Sequence, residues 1–250
     1  MNNTKDIAKI FVNALNNEEY VIDKTGCKTI EIIGASFIAD EPAIFGEPNE
    51  DYIEKELMWY ERQSTNVYDI YGHDNPPKAW QYSANKHGEI NSNYGHLIYS
   101  KKYFKQYDKV FKELLSNPDS RRGSMIYQRP SIWHEYKENG KNDFICTNAV
   151  TYYIRDNKLH CVVQMRSNDV IFGYRNDFAW QEYVLRKLQE DLYYNGIHCE
   201  LGDIHWQVQN LHVYERHFDL VKWVKCFMEN LILLLMKMKE DMQMAQLEYQ

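Results

Sequence analysis

The chain has 250 residues, 44% of them hydrophobic and 26% charged, with a formal net charge of −7. That is long and apolar enough to bury one full core without a second domain, and the acidic balance argues against a general nucleic-acid binder while leaving room for a small anion held by a few local arginines. The five cysteines, at 27, 146, 161, 199 and 226, are odd in number and scattered, with no Cys-x-x-Cys pair, which argues against a disulfide framework and structural zinc.

In chain order, Ile7, Ile10, Phe11 and Leu15 recur at helical spacing and predict a helix over 4–17, with Thr4 as its cap. Lys24-Thr-Gly-Cys-Lys28 then reads as a solvated turn before a β-rich run, Thr29 to Ile38. A helix is expected from Asp51 to Arg62, carrying Ile53, Leu57 and Tyr60, with Glu56 an exposed acid on pattern alone. Gly72 to Gly95 is rich in Gly, Pro, Asn and Ser and reads as loop, and its aromatics Trp80 and Tyr94 as core packing. Phe104 to Leu115 is amphipathic, with Phe104, Tyr107, Phe111 and Leu114 on one stripe, and stops at Asn117-Pro118. The arginines 121 and 122 follow in a loop, a solvated patch on composition, before a strand from Ser124 to Arg129.

Strands Asp143 to Ile154 and Lys158 to Ser167 flank the turn Arg155-Asp-Asn157, a hairpin pattern. A Gly turn around Gly173 then feeds a helix expected over Asp177 to Tyr193, with Phe178, Val184, Leu185, Leu188 and Leu192 toward the sheet. The strand Ile204 to Val208 leads into His212 and Tyr214, as satisfied core polar groups on the plainest view. Leu231, Leu234, Met238, Met242 and Ala245 share a helical face, so 226–250 reads as a terminal amphipathic helix, a packing surface or a partner site. The start carries no signal-peptide core, and the longest apolar run, Leu231 to Met236, is too short to cross a bilayer. The expectation is a soluble, cytosolic chain without membrane contact.

Chemistry concentrates in Asp143-Phe-Ile-Cys146-Thr-Asn148 and Gln164-Met-Arg166-Ser167-Asn-Asp169-Val-Ile-Phe-Gly173-Tyr-Arg-Asn-Asp177. A thiol at its ordinary proton affinity is a poor nucleophile, so a catalytic Cys146 needs a neighbouring cation. Arg166, at the end of an adjacent strand, is placed to supply it. The alternative is a small buried hydrophobe. No Walker, dinucleotide or zinc-protease motif supports a kinase, dehydrogenase or peptidase.

These residues resemble the thymidylate synthase family, in which a nucleophilic cysteine is followed by a strand ending in Arg-Ser-x-Asp-Val. The resemblance runs from about Asp23 to about His217 and extends to Asp23-Lys-Thr-Gly26, Lys28 to Phe37, Gly88 to Gly95, Asn117 to Gly123 and Leu211-His-Val-Tyr214. It is nearest to the family's branch that hydroxymethylates deoxycytidylate. It implies an α+β, single-domain fold with a mixed sheet backed by helices over 1–225, a divergent tail over 226–250, and a homodimer through the sheet faces. Further implied are dCMP and 5,10-methylenetetrahydrofolate as substrates, no metal, and Cys146, Glu56, Asp177 and Tyr94 as the catalytic set. Lys24 or Lys28, Arg166 and Ser167 would meet the nucleotide phosphate, with Arg121 and Arg122 arriving from the partner subunit. His212 and Tyr214 would hold the deoxyribose, and Trp80 and Asp169 the folate. Membership of a larger nucleotide-synthesis complex is left open.

In synthases the residue matching Asp177 is asparagine, which suits uracil. A carboxyl group accepts from the cytosine N4 amine and, when protonated, donates to N3, so Asp177 implies dCMP over dUMP. Helix capping is the structural alternative for this residue. The implied reaction adds Cys146 to C6, joins the one-carbon unit to C5, and ends with water, positioned by Glu56, instead of hydride. Thr147, Met165 and Arg175 depart from the histidine, glutamine and proline of synthases. A dUMP hydroxymethylase, a synthase and a non-catalytic nucleotide binder are the rival readings.

Overall fold

The computed structural model describes residues 1–22, 26–72 and 75–222. Lys24 and the whole of 226–250 therefore lie outside the described residues. The chain opens with a short strand, β1 (Asn2–Asn3), and α1 (Thr4–Asn16). Asn3, not Thr4, caps this helix: its side chain accepts from the Asp6 amide while Asp6 accepts from the Asn3 amide, a reciprocal capping box. Thr4 is buried and donates its hydroxyl to Asp40. Ile7, Phe11 and Leu15 face inward, whereas Ile10 is exposed and leaves the expected stripe.

β2 (Val21–Ile22) pairs antiparallel with β3 (Lys28–Ile38). Then come α2 (Glu50–Glu61), α3 (Lys78–Ser83) inside the expected loop, α4 (Tyr94–Tyr99) and α5 (Gln106–Ser116). Helix α5 starts two residues later than its apolar stripe suggests, because Phe104 and Lys105 take left-handed φ values of 66° and 49°. Phe104 is 80% exposed and packs on nothing inside. After β4 (Ser124–Ile126) and a turn of helix, α6 (Ile132–Glu135), the hairpin β5 (Thr147–Arg155) and β6 (Lys158–Met165) turns on Asp156 and Asn157. Both have positive φ, as a tight hairpin favours. β5 begins after Cys146 rather than at Asp143, so the thiol sits just ahead of the strand. The remaining elements are β7 (Asn168–Asp169), α7 (Phe172–Tyr194) and β8 (Glu200–Tyr214).

The eight strands form one mixed sheet in the order β1-β3-β8-β6-β5-β4, with β2 on β3 and β7 on β8. β8 runs antiparallel to β3 and parallel to β6, and reaches Tyr214, so His212 and Tyr214 lie on a strand. The pairs Phe37↔Trp206, Trp206↔Val163, Val163↔Val150 and Val150↔Met125 trace one buried row across the sheet. The next row, Ser36↔Gln207↔Gln164↔Ala149↔Ile126, points the other way and lies open, with Ile126 58% and nearby Ile33 74% exposed. Period-2 alternation thus splits the sheet into a helix-covered face and an uncovered one. Helices α2 and α4 cross closely: a β-carbon on Gly95 would lie 1.8 Å from the Tyr60 carbonyl oxygen. That approach fixes the helix carrying Glu56 against the one beginning at Tyr94. Among the described residues no helix is long and apolar enough to cross a membrane.

Candidate active site

The loop before β5 and the end of β6 are tied together backbone to backbone, since the Arg166 amide donates to the Cys146 carbonyl at 2.9 Å. The Arg166 guanidinium donates to the Phe144 carbonyl at 2.6 Å and the Ile145 carbonyl at 3.0 Å, and its Nη2 stands 3.5 Å from Cys146 Sγ. It also lies over the Phe144 ring at 4.9 Å. Three contacts to one loop hold the cation against the thiol with no substrate to align them. Burial nevertheless pushes the thiol up to about 11, with Arg166 pulling it down and Asp177 and Asp143 pushing further up. Cys146 is thus a protonated thiol at neutral pH whose reaction requires a proton acceptor.

The loop itself is anchored by Asp143. This buried carboxylate accepts from the Asn91 amide at 2.5 Å, the Ser92 amide at 2.8 Å and the Ser92 hydroxyl at 2.6 Å, tying the nucleophile loop to the chain just before Tyr94. Tyr94 is buried, stacks on Tyr60 with centroids 5.4 Å apart, and shares a hydrogen bond with Asp177. Burial first, then the charges of Asp177 and Cys146, hold its hydroxyl protonated.

Asp177 lies inside helix α7, not at its start. The helix begins at Phe172 because the Asp169 carboxylate accepts from the amides of Ile171, Phe172 and Gly173, satisfying donors that a helix N-terminus leaves open. Gly173 is accordingly helical, and capping at this end belongs to Asp169. Asn168 lies between the core and Asp177: its Nδ2 donates to Asp177 Oδ2 at 2.8 Å, while its Oδ1 accepts from Trp206 Nε1 at 3.3 Å. An indole nitrogen is donor only, so Trp206 settles which way the Asn168 amide faces. Oδ2 of Asp177 is then an acceptor, and the proton of a neutral Asp177 belongs on Oδ1. Burial, followed by the charge of Glu56, pushes this carboxyl up to about 8, against hydrogen bonds from Tyr94 and Asn168 that pull it down.

Glu56 is 4% exposed, so the reading of it as an exposed acid fails. On α2 it shares the inward face with Ile53, Trp59 and Tyr60. Its Oε1 accepts from the Tyr52 hydroxyl at 2.5 Å and from Trp80 Nε1 at 3.1 Å. Burial pushes it up to about 7, with those two donors opposing the rise. Trp80 is half-buried, leaving part of its ring open beside the carboxylate.

His212 is buried on β8, with Nδ1 3.1 Å from Asn210 Oδ1 and its ring edge-on to Tyr214 at 4.9 Å. Burial lowers the His212 pKa. Ser167 is half-buried beside Arg166. Arg121 and Arg122 are exposed in the α5–β4 loop, and Arg122 pairs with Glu113 at 2.9 Å. Lys28 is exposed at the start of β3, its ammonium 4.9 Å over the Tyr20 ring. The structure thus gathers Cys146, Arg166, Tyr94, Asp177, Glu56 and Trp80, and leaves Lys28, Arg121 and Arg122 on the surface of the single chain. Sequence reading gave no role to Tyr52, Asn168 or Asp143. Tyr52 had a usable signal, standing one helical turn before Glu56.

Outside this site, His160, Asp203 and His205 bring potential metal-ligand atoms within 4.8 Å of one another. His160 Nδ1, however, already accepts the Asp203 amide at 2.9 Å, which uses the lone pair a cation would need.

The family model described as thymidylate synthase matches residues 8–248. The chain belongs to the thymidylate synthase family. Within it, the chain is 56% identical over 210 residues to the deoxycytidylate 5-hydroxymethyltransferase of Enterobacteria phage T4, spanning 83% of this chain and 85% of that protein. The phage T2 protein of the same name matches equally, 56% over 83% of this chain and 85% of its own. The thymidylate synthase of Francisella philomiragia is 26% identical, across 80% of this chain and 76% of that protein. Among solved structures, thermostable thymidylate synthase A from Bacillus subtilis superposes with a TM-score of 0.65 at 22% identity, covering 88% of this chain and 82% of that one. That likeness shows the thymidylate synthase fold, the mixed sheet with helices anticipated from the sequence.

Proposed function

We propose that this chain is a deoxycytidylate 5-hydroxymethyltransferase, joining a one-carbon unit and water to C5 of dCMP. The observation that carries the reading is Asp177: a half-buried carboxyl, protonated up to about pH 8 and oriented by Asn168, offers a donor to cytosine N3 beside an acceptor for the N4 amine. Uracil, with a hydrogen on N3, meets the wrong pattern. The likeness to the two phage proteins of that name supports the same choice.

In this reading 5,10-methylenetetrahydrofolate is the second substrate, and the open part of the Trp80 ring suits a flat pterin. When bound, it supplies carbon at the oxidation level of formaldehyde. Cys146 Sγ bonds to C6 of the pyrimidine, its proton passing to solvent water, while Asp177 gives its proton to N3 and becomes the carboxylate. Once C5 has bonded the one-carbon unit, the Tyr94 oxygen takes the C5 proton while its own hydroxyl proton passes to the Asp177 carboxylate, and tetrahydrofolate leaves with the C–N electron pair. Glu56 takes a proton from the water that adds to the one-carbon unit, after which the C6–S bond breaks and the thiol is restored. Arg166, Ser167 and either Lys24 or Lys28 meet the phosphate, His212 and Tyr214 the sugar, and Asp169 helps orient the folate through the α7 terminus it caps. The open sheet row with Ile33 and Ile126 is the surface for a second copy, which would bring its Arg121 and Arg122 to this phosphate. We place the reaction in the cytoplasm, as the likeness to the phage proteins supports.

The test is product analysis with dCMP or dUMP and the folate. Hydroxymethyl-dCMP with tetrahydrofolate is expected. A methyl product with dihydrofolate would mean a synthase, and binding without turnover a non-catalytic homologue. The pH profile of kcat should be bell-shaped. Glu56, at about 7, acts only after losing its proton, so the rate rises through that pH; Asp177, at about 8, acts only while it keeps one, so the rate falls above it. Because the two charges interact, the apparent limbs belong to the pair. A rate that climbs steadily to pH 10 would contradict the role given to Asp177.

A further inference from the structure

The carboxylate given the water-activating role is not held alone. Tyr52 and Glu56 stand one turn apart on α2, and the Tyr52 hydroxyl donates to Glu56 Oε1 at 2.5 Å. Trp80 Nε1 donates both to the Tyr52 oxygen at 2.9 Å and to the same Glu56 Oε1 at 3.1 Å. The polarity of this triangle is forced. Trp80 can only donate, so the Tyr52 oxygen receives its N–H and the Tyr52 proton has Glu56 as its acceptor. Burial and the adjacent Glu56 charge keep that hydroxyl protonated. Oε1 therefore receives two donors, and among the described residues no donor reaches Oε2.

Resting on the reading above, we infer that Tyr52 is a positioning residue for the hydration step: with Trp80 it commits Oε1 of Glu56 to two donors and leaves Oε2 to take the proton from water. In that step the water oxygen bonds to the one-carbon unit on C5, one water proton passes to Oε2, and the electron pair returns to the ring and expels the Cys146 sulfur. Tyr52 itself exchanges no proton. It stabilises the carboxylate and fixes its rotamer, while Trp80 is only half-buried and can still meet the second substrate. The role differs from packing, because a packed phenol would act through its ring and not through its hydroxyl.

The experiment compares kcat and KM for dCMP against pH in the full-length wild type, Tyr52→Phe, and a protein with 3-fluorotyrosine at position 52. Phenylalanine removes a donor to the carboxylate, so the acid limb should move about one unit to higher pH and kcat at pH 7 should drop roughly 5- to 10-fold, with KM for dCMP within about twofold. The fluorinated phenol is a stronger donor and should move the same limb to lower pH, which also keeps the inference testable where Tyr52→Phe folds poorly. Opposite shifts support the role. Unmoved limbs in both proteins, with only KM raised, overturn it in favour of a packing role. Failure of the wild type to form hydroxymethyl-dCMP is the separate result that overturns the reading beneath it.

Discussion

Replacing Cys146 by serine is expected to lower kcat by about 10⁴-fold or more while leaving dCMP binding within a few fold. The thiol, at about 11, already needs help to lose its proton, and it has Arg166 Nη2 at 3.5 Å to favour the anion. A serine hydroxyl is several units less acidic still, and the same guanidinium cannot make up that difference. Its geometry would be retained, because the loop is held by Asp143 and by the backbone bond from Arg166, neither of which involves sulfur. Mass spectrometry after incubation with 5-fluoro-dCMP and the folate checks the covalent step directly. Wild type should gain the mass of both and the variant should gain none. An adduct surviving in Cys146→Ser would place the nucleophile elsewhere.

Asp177→Asn should move base preference by on the order of 10³-fold or more in the ratio of kcat/KM for dCMP and dUMP. The size follows from what the variant presents. Asparagine has no movable proton, and its amide can set the amine toward the 4-position and the oxygen toward N3–H, the pattern uracil presents. An amine facing the cytosine N4 amine sets donor against donor, whereas uracil O4 accepts from it. A buried donor left unpaired against dCMP costs about 1–3 kcal/mol on its own. The alkaline limb of the pH profile should also vanish, because an amide does not titrate. Competition between the two nucleotides at pH 7.5 measures the ratio, and unchanged selectivity would mean that Asp177 does not read the base.

Most of the architecture was legible from periodicity and turn chemistry. The hairpin at Asp156-Asn157, the sheet-facing stripe of α7 and the stop of α5 before Pro118 all follow from local rules. Two of the misses share a cause: they turn on which side-chain group satisfies a backbone donor. Thr4 looked like a cap, yet Asn3 has the longer reach back to the Asp6 amide. Asp177 looked like the start of a helix, yet Asp169 is spaced to meet three amides and starts it five residues earlier. Phe104 fitted a helical stripe but sits in a left-handed turn that apolar spacing does not register.

The site was legible mainly through family likeness, and its electrostatics were not. Pattern made Glu56 an exposed acid, although Ile53, Glu56 and Trp59 at three-residue spacing already put it on the inward face. Nothing local to Asn168 announces that a tryptophan 38 residues away fixes its amide, because that contact exists only once β8 lies beside β7. Arg121 and Arg122 illustrate a different limit. The single chain shows Arg122 paired with Glu113, and the partner-phosphate role implied by the family likeness needs the proposed second copy.

The carboxyl proposed to read the base rides on α7, whose Trp180, Val184, Leu185, Leu188 and Leu192 are locked into the core. Recognition of the base would therefore be mounted on a core-anchored helix instead of on a connecting loop. A lineage can lengthen, trim or rewrite the segment between α2 and α4 and alter how the second substrate fits, while the pyrimidine it accepts stays the same. Changing that pyrimidine takes a substitution on the helix itself, in a single step, so divergence between nucleotide preferences in such a scaffold should be abrupt and not gradual.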